Sequence, residues 1–403
     1  VKAPYSVLVA GCGTIGLLAA LRLLQSRNAG QLDVTIVDAA AAPARVTAGD
    51  VGLRVSAISA GSAALLDGAG VWQRLDPSHV SPFDRMRVWD AASDPHGAAT
   101  LRFDADEFAV PHLGYIVDDA ALRAALRSAI DEAGACVRDE AVVSDARFDA
   151  RGACVQFEDG HEIVVDLVIA ADGGRSPLRR LAGVDTWEES YDQVAFVTHL
   201  APSLPHRDTA WQRFLPSGPL GLLPLADGRV SVVWTTTPAM AEQALAMGDD
   251  ELGETLTDAA DGVLGDLRPA GPRGRFPLVA RHARQYVRRG FALVGDAAHT
   301  VHPLAGQGAN LGISDAAELA SVIDSALDRR EHPGDLPVLR RYERARRGDN
   351  ALMLHFMTGL NRLFASDSGP LGELRQHGMA LFNRSGPIRR KMAGVALGAA
   401  RRQ

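Results

Sequence analysis

The opening of the chain constrains the fold more than anything after it. It reads as an apolar strand, "YSVLVA", a glycine loop, "GCGTIG", a helix, "LLAALRLLQSR", and a second apolar strand ending in Asp38, "LDVTIVD". A strand that runs straight into G-x-G-x-x-G and a helix, with an acid about 20 residues further on, is the fingerprint of a dinucleotide-binding fold. Gly11 permits the tight turn, Gly13 lets a pyrophosphate approach the backbone, and Gly16 lets the helix pack on the strand. The helix N-terminus then faces the anion, and Asp38 is placed to take the adenosine ribose hydroxyls. The competing reading is a mere glycine-rich turn; the agreement of strand, helix and terminal acid counts against it.

A chain of 403 residues exceeds what one hydrophobic core usually serves, so two domains or one domain with a large insertion are expected. The net charge of −7 argues against a nucleic-acid binder, which needs a surplus of lysine and arginine to neutralise phosphates. Cys12, Cys136 and Cys154 are odd in number and lack metal-ligand spacing, and no secretory leader pattern opens the chain. A reduced, cytoplasmic compartment is the expectation. No apolar run approaches the roughly 20 residues of a spanning helix.

Further along, "GLRVSAISAGSAALLDGAGVWQRL" reads as an arginine-bearing loop leading into an amphipathic helix, and "FDRMRVWDAASDPHGAATLRF" as two strands around a turn. "DDAALRAALRSAIDEAG" returns to helix, and "VVDLVIAADGG" is a buried strand ending in Asp172 and Gly173. From Asp192 to Val279 the pattern is strand-rich, with one helical stretch near Ala239 to Ala260. "GFALVGDAAH" then supplies another buried strand, and helices dominate from Gln307 to the end. The fold class expected is α/β: a Rossmann-like nucleotide-binding domain, interrupted by a β-rich domain, with a helical C-terminus.

A large cofactor needs holding at more than one end. Asp296, at the end of "FALVG", suits the ribityl hydroxyls of a flavin. "PLAGQGAN" offers backbone N–H groups running into a helix N-terminus, where negative charge on a reduced flavin ring is favoured. Together, "GCGTIG", "ADGGRSPLR" and "GDAAHTVHPLAGQGANLG" resemble the three signatures of the class A flavoprotein monooxygenases, the superfamily of para-hydroxybenzoate hydroxylase. "LRVSAIS", "HLGYIV", "WQRFLPSGPLGLLPL" and "LRRYERARRGDNALMLHFMTGLNRLF" are similar to its ubiquinone-biosynthesis branch, the polyprenylphenol hydroxylases.

The resemblance implies that Gly11, Gly13, Gly16 and Asp38 bind the ADP part of FAD and that Arg54 meets the pyrophosphate. It places Asp119 where the family usually has an amide or basic residue near the flavin, and Asp172 in the segment linked to both FAD and NAD(P)H. Asp296, Gly306, Gln307, Gly308 and Asn310 would surround the ribityl chain and ring. The chain departs from the family pattern in having Asp38 for a longer glutamate and "VDDAAL" for "VENxxL", which bears on the role of Asp119. The FAD-binding domain is expected over 1–79, 109–184 and 280–332, the substrate domain over 80–108 and 185–279, and C-terminal helices over 333–403.

The implied reaction has NAD(P)H reducing FAD, O2 adding at the flavin C4a carbon, and one oxygen passing to the activated ring of a polyprenylated phenol in ubiquinone biosynthesis. Two other readings stay open: a flavoprotein of another reaction type, such as an isoprenoid reductase or epoxidase, and an FAD-retaining non-catalytic subunit of a quinone-biosynthesis complex. His299 and His302 stand at i, i+3 with no third ligand of suitable spacing, so they are read as shaping the loop, with no metal. Tyr115, Tyr191 and His199 are on paper available as a base for the phenolic proton, and none is assigned. From Pro370 to Gln403, Arg375, Arg384, Arg389, Arg390, Lys391, Arg401 and Arg402 face the single acid Glu373. That segment reads either as packed helices with a solvated basic face or as a peripheral contact for anionic lipid or a partner subunit of a quinone-biosynthesis complex.

Overall fold

The computed structural model describes residues 3–43, 46–149, 152–301, 307–364 and 385–386. Its central sheet runs in the order Val287–Arg288, Phe291–Leu293, Leu167–Ala170, Tyr5–Ala10, Leu32–Val37, Cys136–Arg138. All neighbours are parallel except the hairpin of Val287–Arg288 with Phe291–Leu293. The inner strands read as unbroken apolar runs because both faces are covered: Val7, Leu8, Val9, Leu167, Val168, Ile169 and Phe291 are all fully buried. Helices Thr14–Leu24, Asp119–Glu132 and Gln307–Asp328 pack together, with Thr14–Leu24 between the other two. The Tyr5–Ala10 strand has Leu32–Val37 on one side and Leu167–Ala170 on the other. Strand order therefore reverses at its carboxyl end, where α/β sheets open a crevice for a ligand.

The second large sheet has the order His299–Thr300, Gly274–Ala283, Thr186–Pro202, Val230–Thr236, Gly218–Pro224, Thr209–Leu215, Arg85–Asp90, Leu101–Asp104, with Leu267–Pro269 beside Thr186–Pro202. Its strands alternate. Phe196, Leu200, Leu222 and Trp234 face one way and bury against helices Pro238–Ala246 and Asp249–Ala259 through Ala241, Leu252 and Leu256. Ala195, Val197 and Leu278 face the other way, with Leu53, Tyr191 and Val233 against them. Val80–Phe83 pairs with Gly114–Asp118 in a three-stranded sheet completed by Val55–Ser59, which meets the large sheet through Val51, Ile116 and Leu225. Helix Leu336–Phe364 crosses the same face further along, seating Met357 and Phe364 on Val88 and Phe214.

Two local expectations change. The helical stretch near Ala239 to Ala260 is two helices, because Gly248 sits in extended backbone as the N-cap of the second. "VSAIS" is a strand and only "AGSAALLD" is helix, capped by the Ser59 side chain, which accepts from Ser62 N. The basic stretch from Pro370 to Gln403, apart from Ser385 and Gly386, lies outside the described residues. Among the described residues no helix is long and apolar enough to cross a membrane.

Candidate active site

The three glycines of the first loop do three different things. A Cβ on Gly16 would stand 1.9 Å from the Gly11 carbonyl oxygen, and one on Gly11, which has φ of +112°, would stand 2.3 Å from the Ala171 oxygen. Both are forced by backbone packing. Gly13, with φ of −69°, has nothing within 4 Å of where its Cβ would be. It is the N-cap of helix Thr14–Leu24, which has no side-chain cap and no acid in its first turn. The backbone at Gly13 is thus open to the close approach of a diphosphate, which the first N–H groups of the helix favour, with the Asp119 carboxylate 3.4 Å from the Thr14 hydroxyl beside them. Asp38 accepts from the Cys12 amide and, at 2.7 Å, from the Ala40 amide. It braces the loop, and each carboxylate oxygen keeps a further lone pair for a ribose hydroxyl.

Asp296 follows the Phe291–Leu293 strand at the same end of the sheet. It is exposed, and its carboxylate has no hydrogen-bond partner among the described residues. The protein surrounding this open crevice partly desolvates it and raises its carboxyl from the usual range, opposed by the charges of His299, Arg54 and Arg281 and reinforced by Asp119. Arg54 and Asp119, distant in the chain, therefore converge on it with Arg281 and the neighbouring His299. Arg54 is exposed, with its guanidinium 5.8 Å from the Phe276 ring centroid. Asp119 opens helix Asp119–Glu132, its carboxylate 3.3 Å from Arg123 and 3.4 Å from the Thr14 hydroxyl. The neighbouring Asp118 is buried and structural: it caps Ala120 N, accepts from Gly52 N and pairs with His79.

Asp172 accepts from Leu178 N at 3.1 Å, and its other oxygen is buried with no partner among the described residues. Burial raises its carboxyl, against hydrogen bonds from Ser176 and Leu178. Sequence reading missed Arg179, which is buried and donates to the Ala297 and Gly174 carbonyls, stapling this loop to the turn that carries Asp296. Arg281 was missed too: it is clasped by Glu188 and lies where a Cβ on Gly174 would meet it at 2.9 Å. Nothing in "GRSPLRR" distinguishes Arg179 from Arg180; only the fold buries one and exposes the other.

Beneath the turn lies a buried polar network. Asp315, fully buried on helix Gln307–Asp328, accepts from Gly295 N at 3.2 Å, His299 Nε2 at 2.5 Å, Arg346 Nε at 2.7 Å and Asn350 Nδ2 at 3.0 Å. Burial alone would raise its carboxyl, but His299 and Arg346 together hold it below the usual range. The chain of contacts continues from Asn350 to the Tyr286 hydroxyl and from there to His282. His299 thus has the Asp315 carboxylate as its partner, and among the described residues no group of three His, Cys, Asp or Glu is placed to hold a metal. His302 and Gly306 lie outside the described residues, and Gln307 is described only as the first residue of its helix. Gly308 follows it, with Val301 the nearest neighbour a Cβ there would meet, at 3.8 Å. Asn310 uses its amide on Ser59 N and the Ala57 carbonyl, so it locks the start of that helix to strand Val55–Ser59.

Of the three residues considered as a base, Tyr191 is the one the fold brings to the seam between the flavin-side helices and the large sheet. It packs on Val301, Leu311 and Leu354 on one side and on Val197 and Leu278 on the other, with its hydroxyl 2.7 Å from that of Thr358. Tyr115 stacks edge-on to Trp72 and His112. His199 is fully buried, and neither ring nitrogen has a hydrogen-bond partner among the described residues. Burial pushes its pKa down, so it is a neutral packed histidine. Room remains over the sheet face: a Cβ on Gly221 would meet only the Val233 carbonyl, at 3.7 Å.

Residues 4–353 match the family model described as FAD binding domain. The chain belongs to this FAD-binding family of class A flavoprotein hydroxylases. It is 34% identical to the 3-demethoxyubiquinol 3-hydroxylase of Escherichia coli (strain K12), covering 98% of this chain and 99% of that one. It is equally 34% identical to the ubiquinone hydroxylase UbiL of Rhodospirillum rubrum, over 97% of this chain and 89% of that protein. In fold it is similar to HpxO of Klebsiella pneumoniae, solved with FAD and uric acid, with a TM-score of 0.73, 21% identity and 96% of each chain covered. The p-nitrophenol 4-monooxygenase PnpA of Pseudomonas putida DLL-E4 superposes with a TM-score of 0.76 at 16% identity, over 97% of this chain and 96% of that one.

The α/β architecture with its inserted sheet is therefore that of the flavoprotein hydroxylases, and the protein is an FAD-dependent aromatic-ring monooxygenase that uses NAD(P)H and O2. When bound, FAD supplies the electron transfer and oxygen activation. The chain's own residues do the rest. The uncapped helix N-terminus beside Gly13 would hold the diphosphate, Asp38 and Asp296 would accept from sugar and ribityl hydroxyls, and Arg54 would balance negative charge. The apolar sheet face would orient a ring and keep water from it.

Proposed function

We propose that the substrate is a phenol carrying a polyprenyl tail and that the product belongs to ubiquinone biosynthesis. The observation that carries this reading is similarity along nearly the whole of two relatives named for ubiquinone hydroxylation. The apolar lining of the sheet face, from Leu53 and Val197 to Val233 and Leu278, supports it, since an aromatic ring with a hydrocarbon tail asks for walls of that kind. In this reading Gly11, Gly13, Gly16 and Asp38 hold the ADP half of FAD, and Arg54 meets the pyrophosphate. Asp119, Asp172, Asp296 and the 306–310 segment hold or position the flavin half. The division of the chain into FAD-binding, substrate and C-terminal parts belongs to the same proposal, as do quinone-biosynthesis partners and a basic membrane contact at the C-terminus.

The test is turnover of a polyprenylated phenol under isotopically heavy O2 with NAD(P)H. One heavy oxygen atom in the product is the expected result. A product that gains only hydrogen identifies a reductase, and substrate that fails to stimulate NAD(P)H oxidation identifies a non-catalytic subunit.

A further inference from the structure

The ladder of the large sheet sets one row of residues across a single face: Gln212 stands opposite Gly221, Gly221 opposite Val233, Val233 opposite Val197, and Val197 opposite Gly274. Residues two positions along each strand share that face. On one flank of the row, Phe214 is covered by helix Leu336–Phe364, its ring 3.8 Å from that of Phe364 and Met357 beside it. On the other flank, Leu223 packs with Ile116, Val55 and Phe83 of the three-stranded sheet. The middle of the row is left open. Gly221 and Val233 are only half-buried although strands run on both sides of them, and a Cβ on Gly221 would meet only the Val233 carbonyl. The far end is closed by Leu53, which a Cβ on Gly274 would strike at 2.7 Å and which precedes Arg54 of the candidate flavin site.

One polar side chain borders this opening. Gln212 is 8% exposed, and its amide makes no hydrogen bond among the described residues. Its neighbours in the row, Gly221 on one side and Val88 on the other, have no polar side chain to offer it. His199 and Ser231 are unpaired on the same face but are sealed from any space. A buried amide without partners costs stability, so an unpaired one beside an opening points to a ligand that completes it. We propose that Gln212 and Gly221 form the ring-binding subsite: the ring lies over Gly221, and the Gln212 amide hydrogen-bonds the ring hydroxyl, so the pair selects a hydroxylated ring over a bare one. An amide carries both acceptor and donor atoms, so it meets a phenol or a phenolate oxygen. A site whose buried polar group is satisfied by a substrate hydroxyl rejects the ring that lacks it. That the ligand is a phenol rests on the proposed substrate; the opening and the unpaired amide do not.

The experiment is titration calorimetry of the full-length, FAD-loaded protein with a prenylated phenol, the same compound without its ring hydroxyl, and the tail-free pair cresol and toluene. The wild type is expected to bind each phenol about tenfold or more tightly than its hydroxyl-free counterpart. Q212L is expected to erase that preference by weakening the phenols alone, with FAD content unchanged. Q212M repeats the apolar substitution with an unbranched chain should Q212L fold poorly. G221V, whose Cβ nothing obstructs, is expected to fill the opening and weaken every ligand by about tenfold or more. Gln212 variants that keep the wild-type preference overturn the anchor, and undiminished binding by G221V overturns the opening as the place of the ring. Cresol bound with a preference that Q212L removes, while the prenylated phenol does not bind, supports the subsite and overturns the polyprenyl substrate. Wild-type protein that binds no phenol overturns both.

Discussion

Gly13 and Gly16 lie three residues apart and are glycine for opposite reasons, which makes them a clean test of the site. An alanine at position 16 would drive its Cβ into the Gly11 carbonyl at 1.9 Å, and neither backbone can retreat. Overpacking of this kind costs about 1–3 kcal/mol or more, so G16A should lower the melting temperature of the FAD-free protein. An alanine at position 13 meets no protein atom and needs no unusual φ. G13A should therefore leave FAD-free stability unchanged while weakening FAD binding, read by fluorescence titration. Equal loss of stability in both variants would mean that Gly13 serves packing and not a ligand. D296A makes the matching test at the other end. A hydrogen bond to a charged group is worth about 1.5–3 kcal/mol, so the variant should bind FAD at least about tenfold more weakly, and unchanged affinity would remove Asp296 from the site.

The turn that carries Asp296 is held from below by helices Gln307–Asp328 and Leu336–Phe364 through Asp315. R346M leaves the buried Asp315 with His299 but without the arginine of its two countercharges. Breaking a buried pair from one side costs about 3–5 kcal/mol, a loss that urea unfolding of the variant should register. The same network sets a pH dependence. Burial lowers the His282 pKa from 6.5 to about 4, with the charges of His299 and Arg347 adding to the effect. The unfolded chain therefore takes up a proton below pH 6.5 that the folded chain refuses until about pH 4. Stability from this group is complete above 6.5 and is lost as pH falls through that window. Asp315, held below its usual range, adds a loss at still lower pH. H282Q, whose amide can still meet the Tyr286 hydroxyl, should flatten the melting temperature between pH 6.5 and 4; an unchanged slope would assign the dependence to other groups. None of this network was legible in the sequence. Asp315, Arg346 and Asn350 look like the polar side of two amphipathic helices, and only the crossing of those helices buries them. The partner of His299, Asp315, lies sixteen residues further on and across the fold, so nothing local announced it.

Across the whole molecule, what could be read early is local and what could not is long-range. "YSVLVAGCGTIG" announces strand, turn and helix within a dozen residues. That Leu167–Ala170 would line up parallel beside Tyr5–Ala10, and Phe291–Leu293 beside Leu167–Ala170, depends on closing long loops between them, and the apolar runs say only that these strands are buried. The parallel docking of Arg85–Asp90 onto Thr209–Leu215 is likewise invisible in either segment. This arrangement has a thermodynamic consequence. The residues proposed to hold FAD, among them Gly13, Arg54, Asp119, Asp172 and Asp296, are spread over most of the chain, so in that reading FAD has no preformed site on the unfolded chain. A ligand that binds only the folded state stabilises it by RT ln(1 + [L]/Kd), about 2.7 kcal/mol at a hundredfold excess over Kd. For a protein of this size that corresponds to a rise of several degrees in melting temperature. Stripping FAD should lower the melting temperature by that amount, and titrating it back should restore it with a logarithmic dependence on free FAD. D296A should follow a parallel line displaced to higher FAD concentration, since it weakens binding without changing what the fold must assemble. A melting temperature indifferent to FAD would mean that the folded chain does not bind it in preference to the unfolded one, and would remove these residues as its site.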